Sequence, residues 1–274
     1  MSTRVDEASS AFYPSGHDET VLRSHRSRTV QDSAAHLLPL LRKSDKLLDI
    51  GCGPGTITCG FAPFVASVTG IEHPAAGEEI LQKARAEANI RGVQDSVHFQ
   101  HADALALPFQ DEEFDVVFCH QVLQHVSDSV GVLREMRRVS KRIVAAREAD
   151  RGTFVQFPPD ETLERFDHLW YAVARAGGGE PDAGRRLKSW AVEAGFKNDE
   201  VSVKAGNSTP EVREWSQMWA ARTVDSDFAR KAVELGMASE QELRKMAEAW
   251  RKWGEQDGAW YGYLHGELIA QKDH

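Results

Sequence analysis

Cysteine is scarce in this chain. Its 274 residues hold only Cys52, Cys59 and Cys119. Their spacing fits no metal-ligand pattern and makes no disulfide framework, so neither a metal site nor a cross-linked secreted scaffold is expected. Long apolar runs are also missing, and none reaches the roughly 18 residues that a membrane span needs. The first ten residues are polar and lack the apolar core of a signal peptide, so a cytoplasmic setting is expected. Positive charge is in deficit: 33 Lys and Arg against 42 Asp and Glu leave a formal net charge of −9. That balance argues against a nucleic-acid partner. The cluster Arg23, Arg26 and Arg28 reads as one solvated helix face. There is no repeat, no low-complexity segment and no nucleophile elbow. With 41% hydrophobic and 27% charged residues, the chain reads as a globular protein.

What is present centres on one stretch, LLDIGCGPGTIT, residues 47–58. Lys46 to Ile50 reads as a short buried strand. Gly51, Gly53 and Gly55 follow at alternate positions, and Thr56 opens an apolar stretch that can start a helix. Glycines allow a sharp turn and a close ligand approach. A helix start offers unpaired N–H groups to an anionic group. A dinucleotide site would need G-x-G-x-x-G. Here the spacing is G-x-G-x-G, with Asp49 two residues before the first glycine. A bare turn is the bland alternative, but it needs neither three glycines nor a buried acid.

Around this stretch the sequence alternates strands and helices. Residues 20–41 read as mostly helix, with Pro39 placed to kink it or end it early. Residues 67–72 make a second strand ending in Glu72, whose carboxylate can accept both hydroxyls of a ribose. His73 follows and can flank an adenosine. Residues 75–91 are a helix ended by Gly92. Residues 97–100 are a third strand. Beyond it, Asp103 can accept from an exocyclic amine of adenine while Ala104 and Leu105 pack the ring; a plain loop acid is the alternative.

Residues 114–119 form an apolar central strand. His120, Gln121 and His125 come directly after it and are the most interesting polar residues outside the glycine loop. For His125, capping or packing is the alternative. Arg147 to Asp150 closes a fifth strand, with its carboxylates near the cleft. Helices are expected at 162–176 and 183–194, a sixth strand at 201–203, mostly helix over 211–253, and a last strand within 258–271. Trp215, Trp219, Trp250 and Trp253 read mainly as core of an added helical layer, although they could line an apolar chamber.

Several stretches together carry a resemblance: SGHDETVLRSHRSRTVQDSAAHLLPLL, LLDIGCGPGTIT, VTGIE, HADALALPF, FDVVFCHQVLQHV and LREMRRV, spread over residues 15–139. They resemble class I S-adenosylmethionine-dependent methyltransferases of the ubiquinone/menaquinone-biosynthesis (type-11) group. The resemblance implies an α/β, Rossmann-like doubly wound sheet of seven strands in order 3-2-1-4-5-7-6, the last antiparallel. It implies S-adenosylmethionine as cofactor and S-adenosylhomocysteine as product. Asp49, Gly51, Cys52, Gly53, Thr56, Glu72, His73, Asp103, Ala104 and His120 are the residues expected around that cofactor. Asp49 would orient its amino-acid end, partly through the loop backbone and water.

One domain is expected over 1–274: an N-terminal helical cap (1–44), a cofactor core (45–150), inserted helices (151–195), and sheet completion (196–274) with a helical insertion (211–253). The added helices would form a lid, with Tyr13, His17 and Trp170 facing a small-molecule substrate. His120 and His125 are the candidate bases or orienting groups for the transfer. His17, Glu148 and Asp150 are secondary bases, and exposed helix polarity is the bland reading of His17 and His25. The oligomeric state is left open. Members of the group usually carry a Pro-Gly-Gly turn before strand five. Here Val139-Ser140-Lys141 stands instead, so the helix should end earlier or the strand start later. Three other readings stay open: a cofactor-binding protein without transferase activity, non-methyl chemistry on the same fold, and a nicotinamide oxidoreductase, which the loop spacing argues against.

Overall fold

In a computed structural model, residues 28–272 are described. Seven strands form one sheet: β1 (Lys46–Ile50), β2 (Ser67–Glu72), β3 (Val97–His101), β4 (Phe114–His120), β5 (Ser140–Phe157), β6 (Val201–Ser208) and β7 (Trp260–Gln271). Their order is β3-β2-β1-β4-β5-β7-β6, as expected from the resemblance. The β3-β2-β1-β4-β5 pairings are parallel, and β7 runs antiparallel to both of its neighbours. The central strands are near-continuous apolar runs because helices cover both faces.

On one face, α1 (Val30–Ala34), α2 (Thr56–Phe61) and α3 (Glu78–Arg91) bury Val30, Phe61, Leu81 and Ala84 against β1, β2 and β4. On the other, α4 (Ser129–Val139) and α6 (Ala183–Glu193) bury Leu133, Met136, Leu187 and Ala191. A third cluster belongs to α5 (Glu161–Ala176), α7 (Val212–Val224), α8 (Asp227–Glu234) and α9 (Glu240–Gly254). Phe166 sits at its middle, with ring centroids of Trp219, Phe228 and Trp250 all 5.6 Å away. Trp250 and Trp253 are 1% exposed. The tryptophans are thus chiefly core. Each such edge-to-face pair adds about 0.5–1.5 kcal/mol beyond the area it buries.

The structure corrects several expectations. The helix over 20–41 is not continuous in its described part. It is the five-residue α1, then a 3-10 turn at Leu38–Leu40. Pro39 lies in that turn, where its missing N–H does no harm but no α-helix can pass. Residues 20–27 lie outside the described residues. The missing Pro-Gly-Gly turn moves neither element: α4 ends at Val139 and β5 starts at Ser140. Ser140 turns extended at φ −88°, ψ 139°, and the register then skips between the Phe114↔Ser140 and Val116↔Ile143 pairs. A bulge absorbs the tight junction.

Strand β5 also does not close at Asp150. It runs to Phe157, and between the Asp150↔Leu264 and Val155↔Gly262 pairs it takes five steps against two on β7. β6 likewise extends beyond 203, to Ser208. The 211–253 stretch is three helices, broken near Asp225 and at Gly236, where φ is +65°. Ser239 and Glu242 then form a capping box that starts α9.

Candidate functional site

The parallel strands β3, β2, β1 and β4 end side by side, which is where ligands bind in open sheets of this kind. After β1 the chain turns through Gly51, Gly53 and Gly55, at φ +71°, +51° and +82°. A Cβ on Gly51 would lie 2.4 Å from Val122 Cγ2, so this position has no room for a side chain. The N–H groups of Gly51 and Cys52 both donate to the Ile71 carbonyl, at 2.9 and 3.0 Å, and tie the loop to β2.

Glu72 is half-buried at the end of β2. One carboxylate oxygen accepts from Gly53 N–H at 2.9 Å and the other from His73 N–H at 3.0 Å. A carboxylate has about four lone-pair sites, so two remain for a diol. Asp49 is 3% exposed and accepts the Thr58 hydroxyl at 2.6 Å. Burial pushes its carboxyl up to about 7; Glu72 adds to the rise and the Thr58 hydrogen bond opposes it. Asp103 is exposed beyond β3, where Oδ1 accepts from Leu105 N–H at 2.9 Å, and Ala104 beside it is half-buried. Thr56 is buried at the start of α2. These residues fit S-adenosylmethionine: a glycine cradle that a Cβ would fill, a buried acid for a cationic end, and a carboxylate with free lone pairs.

Two expected contacts are reassigned. The Cys52 side chain is buried in the core under β2, with its thiol pushed well above its ordinary value by burial. Only its backbone belongs to the loop. His73 Nδ1 accepts from Ala75 N–H at 3.2 Å and caps the turn at Pro74–Ala76.

The second part of the site follows β4. His120 is 8% exposed. Arg147 Nη1 lies 3.4 Å from His120 Nε2. Guanidinium only donates, so Nε2 accepts and a neutral His120 carries its proton on Nδ1. Gln121 stands at φ +55°, a conformation uncommon outside glycine. Its N–H donates to the Arg147 carbonyl at 2.9 Å, and its side-chain oxygen accepts from Arg28 at 2.7 Å.

The next three N–H groups, of Val122, Leu123 and Gln124, all donate to the Glu148 carboxylate, at 2.9, 2.9 and 3.2 Å. Glu148 is fully buried, and desolvation raises its carboxyl to about 7 against those hydrogen bonds. Three of its about four lone-pair sites are taken by the turn and it is fully buried, outside the walls of the cavity that opens beyond His120, so it does not face the cleft as a base. Nor does Asp150, whose Oδ2 accepts from Arg185 N–H at 2.9 Å and Nε–H at 2.8 Å. His125 is held neutral by burial and by the charges of Arg28 and Arg222, which lower its pKa to about 3. Such a ring is a weak base at neutral pH.

A cavity of about 1390 Å³ opens beyond His120 and Gln121. His120, His125, Arg147, Trp170, Arg222 and Tyr263 are among its walls. Trp170, expected to face a substrate, lines this cavity at 8% exposure, while Tyr13 and His17 lie outside the described residues. The sequence reading did not assign Arg147, Arg151 or Arg222 to the site. A usable signal was present: Arg147-Glu148 follows directly on the apolar run 143–146 within one strand. Among the described residues no cluster of metal-ligating side chains occurs, and no helix is long and apolar enough to cross a membrane.

The profile of a methyltransferase-domain family matches residues 48–143. An uncharacterized methyltransferase of Schizosaccharomyces pombe is 32% identical over 278 aligned residues, covering 96% of this chain and 97% of that protein. A putative methyltransferase from Bacillus halodurans superposes with a TM-score of 0.58 at 20% identity, covering 88% of this chain and 98% of that one. A phosphoethanolamine N-methyltransferase from Haemonchus contortus, solved with phosphomonomethylethanolamine and S-adenosylhomocysteine, superposes at 0.53 and 16% identity, covering 88% and 52%.

Proposed function

Since this chain belongs to the class I S-adenosylmethionine-dependent methyltransferases, we propose that it methylates a small molecule held in the cavity beyond His120. S-adenosylmethionine is the cofactor, and it supplies an electrophilic methyl group on a sulfonium. The work of the chain is to bind, orient and exclude water. In this reading Asp49, Glu72 and Asp103, with Gly51, Gly53 and Ala104, hold the cofactor at the ends of β1 to β3. His120 and Gln121 stand between that site and the acceptor.

The observation that carries the reading is the cavity itself, which opens at His120 and Gln121, where β4 ends paired with the strand that leads into the glycine loop. Its far walls come from β5, β7 and the α5 and α7 helices, through Phe154, Tyr263, Trp170 and Trp219. In this reading residues 151–176 and 211–253 act as a lid over the core, whereas the 183–193 helix, expected to belong to the inserted layer, packs on the sheet. His120 and His125 orient the acceptor instead of taking its proton, because His120 Nε2 is engaged by Arg147 and His125 is held neutral.

The test is calorimetric titration with S-adenosylmethionine and S-adenosylhomocysteine, with NAD as control, followed by acceptor screening for S-adenosylhomocysteine release. Micromolar binding of both sulfur compounds, no binding of NAD, and acceptor-dependent release are expected. Failure of both to bind refutes the assignment of the loop. Binding without turnover on any acceptor leaves a cofactor-binding protein instead.

A further inference from the structure

Among the described residues, two other than glycine stand at positive φ: Glu112 and Gln121. Glu112 is exposed in a turn ahead of β4. Gln121 is half-buried in the wall of the cavity. A long side chain on such a backbone costs free energy, and the conformation persists only where neighbours hold it. Three sets of contacts hold Gln121. Its N–H donates to the Arg147 carbonyl at 2.9 Å. The three N–H groups that follow it are gathered by the Glu148 carboxylate. Its side-chain oxygen accepts from Arg28 Nη2 at 2.7 Å.

That last bond settles which way the amide points. A guanidinium only donates, so the atom beside Arg28 is the amide oxygen and not the nitrogen. With the oxygen taken, what the side chain offers is its NH₂ group, which carries two donors. Among the described residues no acceptor meets that nitrogen, and it is not one of the polar atoms sealed inside the protein. Gln121 lines the cavity, so the NH₂ group faces it. The guanidinium on the oxygen polarises the amide and strengthens its N–H groups as donors. The group itself stays neutral and brings no second cation up to a sulfonium. Elsewhere the cavity wall is flat and aromatic: Trp215 stacks on Tyr263 at 5.5 Å with planes 25° apart.

We infer that Gln121 selects the acceptor: its amide N–H₂ donates to a carbonyl oxygen on a ring-bearing molecule and so aims the atom to be methylated at the cofactor. This rests on the methyltransferase reading of the same cavity. A carbonyl suits the group because it only accepts, as the amide nitrogen only donates. The held oxygen is a fixed point on the acceptor, so the nucleophilic atom takes one place relative to the carbon–sulfur bond. Positioning of this kind is the main work of the transfer. A molecule that lacks the oxygen leaves the N–H groups desolvated and unanswered, and is rejected for that reason. Gln121 thus decides which molecule is held, and it takes no part in the bonds made and broken.

The test uses the full chain loaded with S-adenosylhomocysteine. Matched probes differ in one group: 1-tetralone, 1-tetralol and tetralin; 4-chromanone, 4-chromanol and chroman; 1-indanone, 1-indanol and indane. Ligand-observed NMR titration gives their affinities. At least one ketone should bind about fivefold or more tightly than its parent without the oxygen. Gln121→Glu keeps the side-chain length and an oxygen for Arg28, but puts a second acceptor where the donors were. It should abolish the ketone preference, and the alcohol, which donates, should gain on the ketone. Gln121→Met removes the amide at similar length and should abolish the preference without that gain. The affinity for S-adenosylhomocysteine should stay within about twofold in both. A merely structural role for Gln121 would weaken all probes alike. If no ketone is preferred, if the preference survives Gln121→Glu, or if S-adenosylhomocysteine affinity falls in step with ketone affinity, the inference is wrong and the methyltransferase reading stands. If S-adenosylhomocysteine does not bind the wild-type chain, the methyltransferase reading fails first and this inference with it.

Discussion

Glu148 offers a test whose sign and size both follow from its surroundings. Its carboxylate accepts from three consecutive backbone N–H groups just after β4. In Glu148→Gln the amide oxygen can keep the two bonds made by one carboxylate oxygen, to Val122 and Leu123. The amide nitrogen then faces the N–H of Gln124, donor against donor. The lost bond and the stranded N–H cost about 1–3 kcal/mol.

A pH dependence rides on this. The Glu148 carboxyl is raised to about 7 from 4.5. In the unfolded chain it ionises near its ordinary value, whereas the folded protein keeps its proton up to about 7. Between those values the folded state binds more protons, so the contribution of Glu148 to stability falls as pH rises. The full window corresponds to about 3 kcal/mol. Glutamine does not titrate. The penalty of Glu148→Gln should therefore be largest near pH 5 and shrink by about 2–3 kcal/mol by pH 8, or roughly 4–12 °C in Tm for a domain of this size. Comparing variant with wild type at each pH cancels every other titrating group. Urea and thermal unfolding at pH 5, 6, 7 and 8 measure it. A penalty that is constant, or that grows toward alkaline pH, refutes the reasoning.

Other outcomes follow from neighbouring residues. Asp49, raised to about 7, should make S-adenosylhomocysteine affinity fall about tenfold from pH 8 to pH 6, because an ammonium prefers the ionised carboxylate; Asp49→Asn should flatten that profile in calorimetry. Gly51→Ala forces a methyl group onto Val122 at a positive φ. It should lower cofactor affinity by tenfold or more and destabilise the fold by about 1–3 kcal/mol, read by calorimetry and urea unfolding. Glu72→Ala should abolish cofactor binding with Tm nearly unchanged, since the carboxylate is half-buried and bonded only to loop N–H groups; wild-type affinity would overturn its assignment to the ribose. Phe166→Ala opens the aromatic cluster at its middle and should cost about 3–5 kcal/mol in unfolding free energy.

Much of the fold was legible because it is written locally. The β1–loop–α2 stretch announces itself by an apolar run, three alternate glycines and a helix start. Counting strands puts Glu72 at the end of β2 and Asp103 just past β3, where the structure has them. What escaped the sequence depends on partners far along the chain. Glu148 looks like a cleft acid until the turn at 122–124 folds back onto it, 24 to 26 residues away. Cys52 looks like a loop ligand until Gly70 brings β2 beneath it, where a Cβ on that glycine would lie 3.0 Å from the Cys52 Cβ. The junction at Ser140 was hard for a related reason. A bulge in β5 is a property of its pairing with β4, and no residue type encodes it.

The same logic explains why the cavity proposed for the acceptor is where it is. A parallel sheet by itself leaves its strand ends open to water, and methyl transfer needs water kept out. Here β5 overshoots the cofactor core, loops out over 151–154, and pairs again with β7 at Val155–Phe157. That detour carries Arg151 onto the faces of Trp170, Phe154 and Trp219, at 4.9, 5.0 and 5.2 Å. One guanidinium thus joins the strand to α5 and α7, and desolvated cation–π contacts of this kind are worth about 2 kcal/mol each. The helical layer is thereby tied to the strand that also supplies Arg147 and Glu148. Strand β5 thus contributes to both the shape and the charge of the proposed acceptor site, and Arg151→Met should loosen acceptor binding while leaving cofactor affinity intact. Equal losses of both in calorimetry would show instead that the layer and the core move as one.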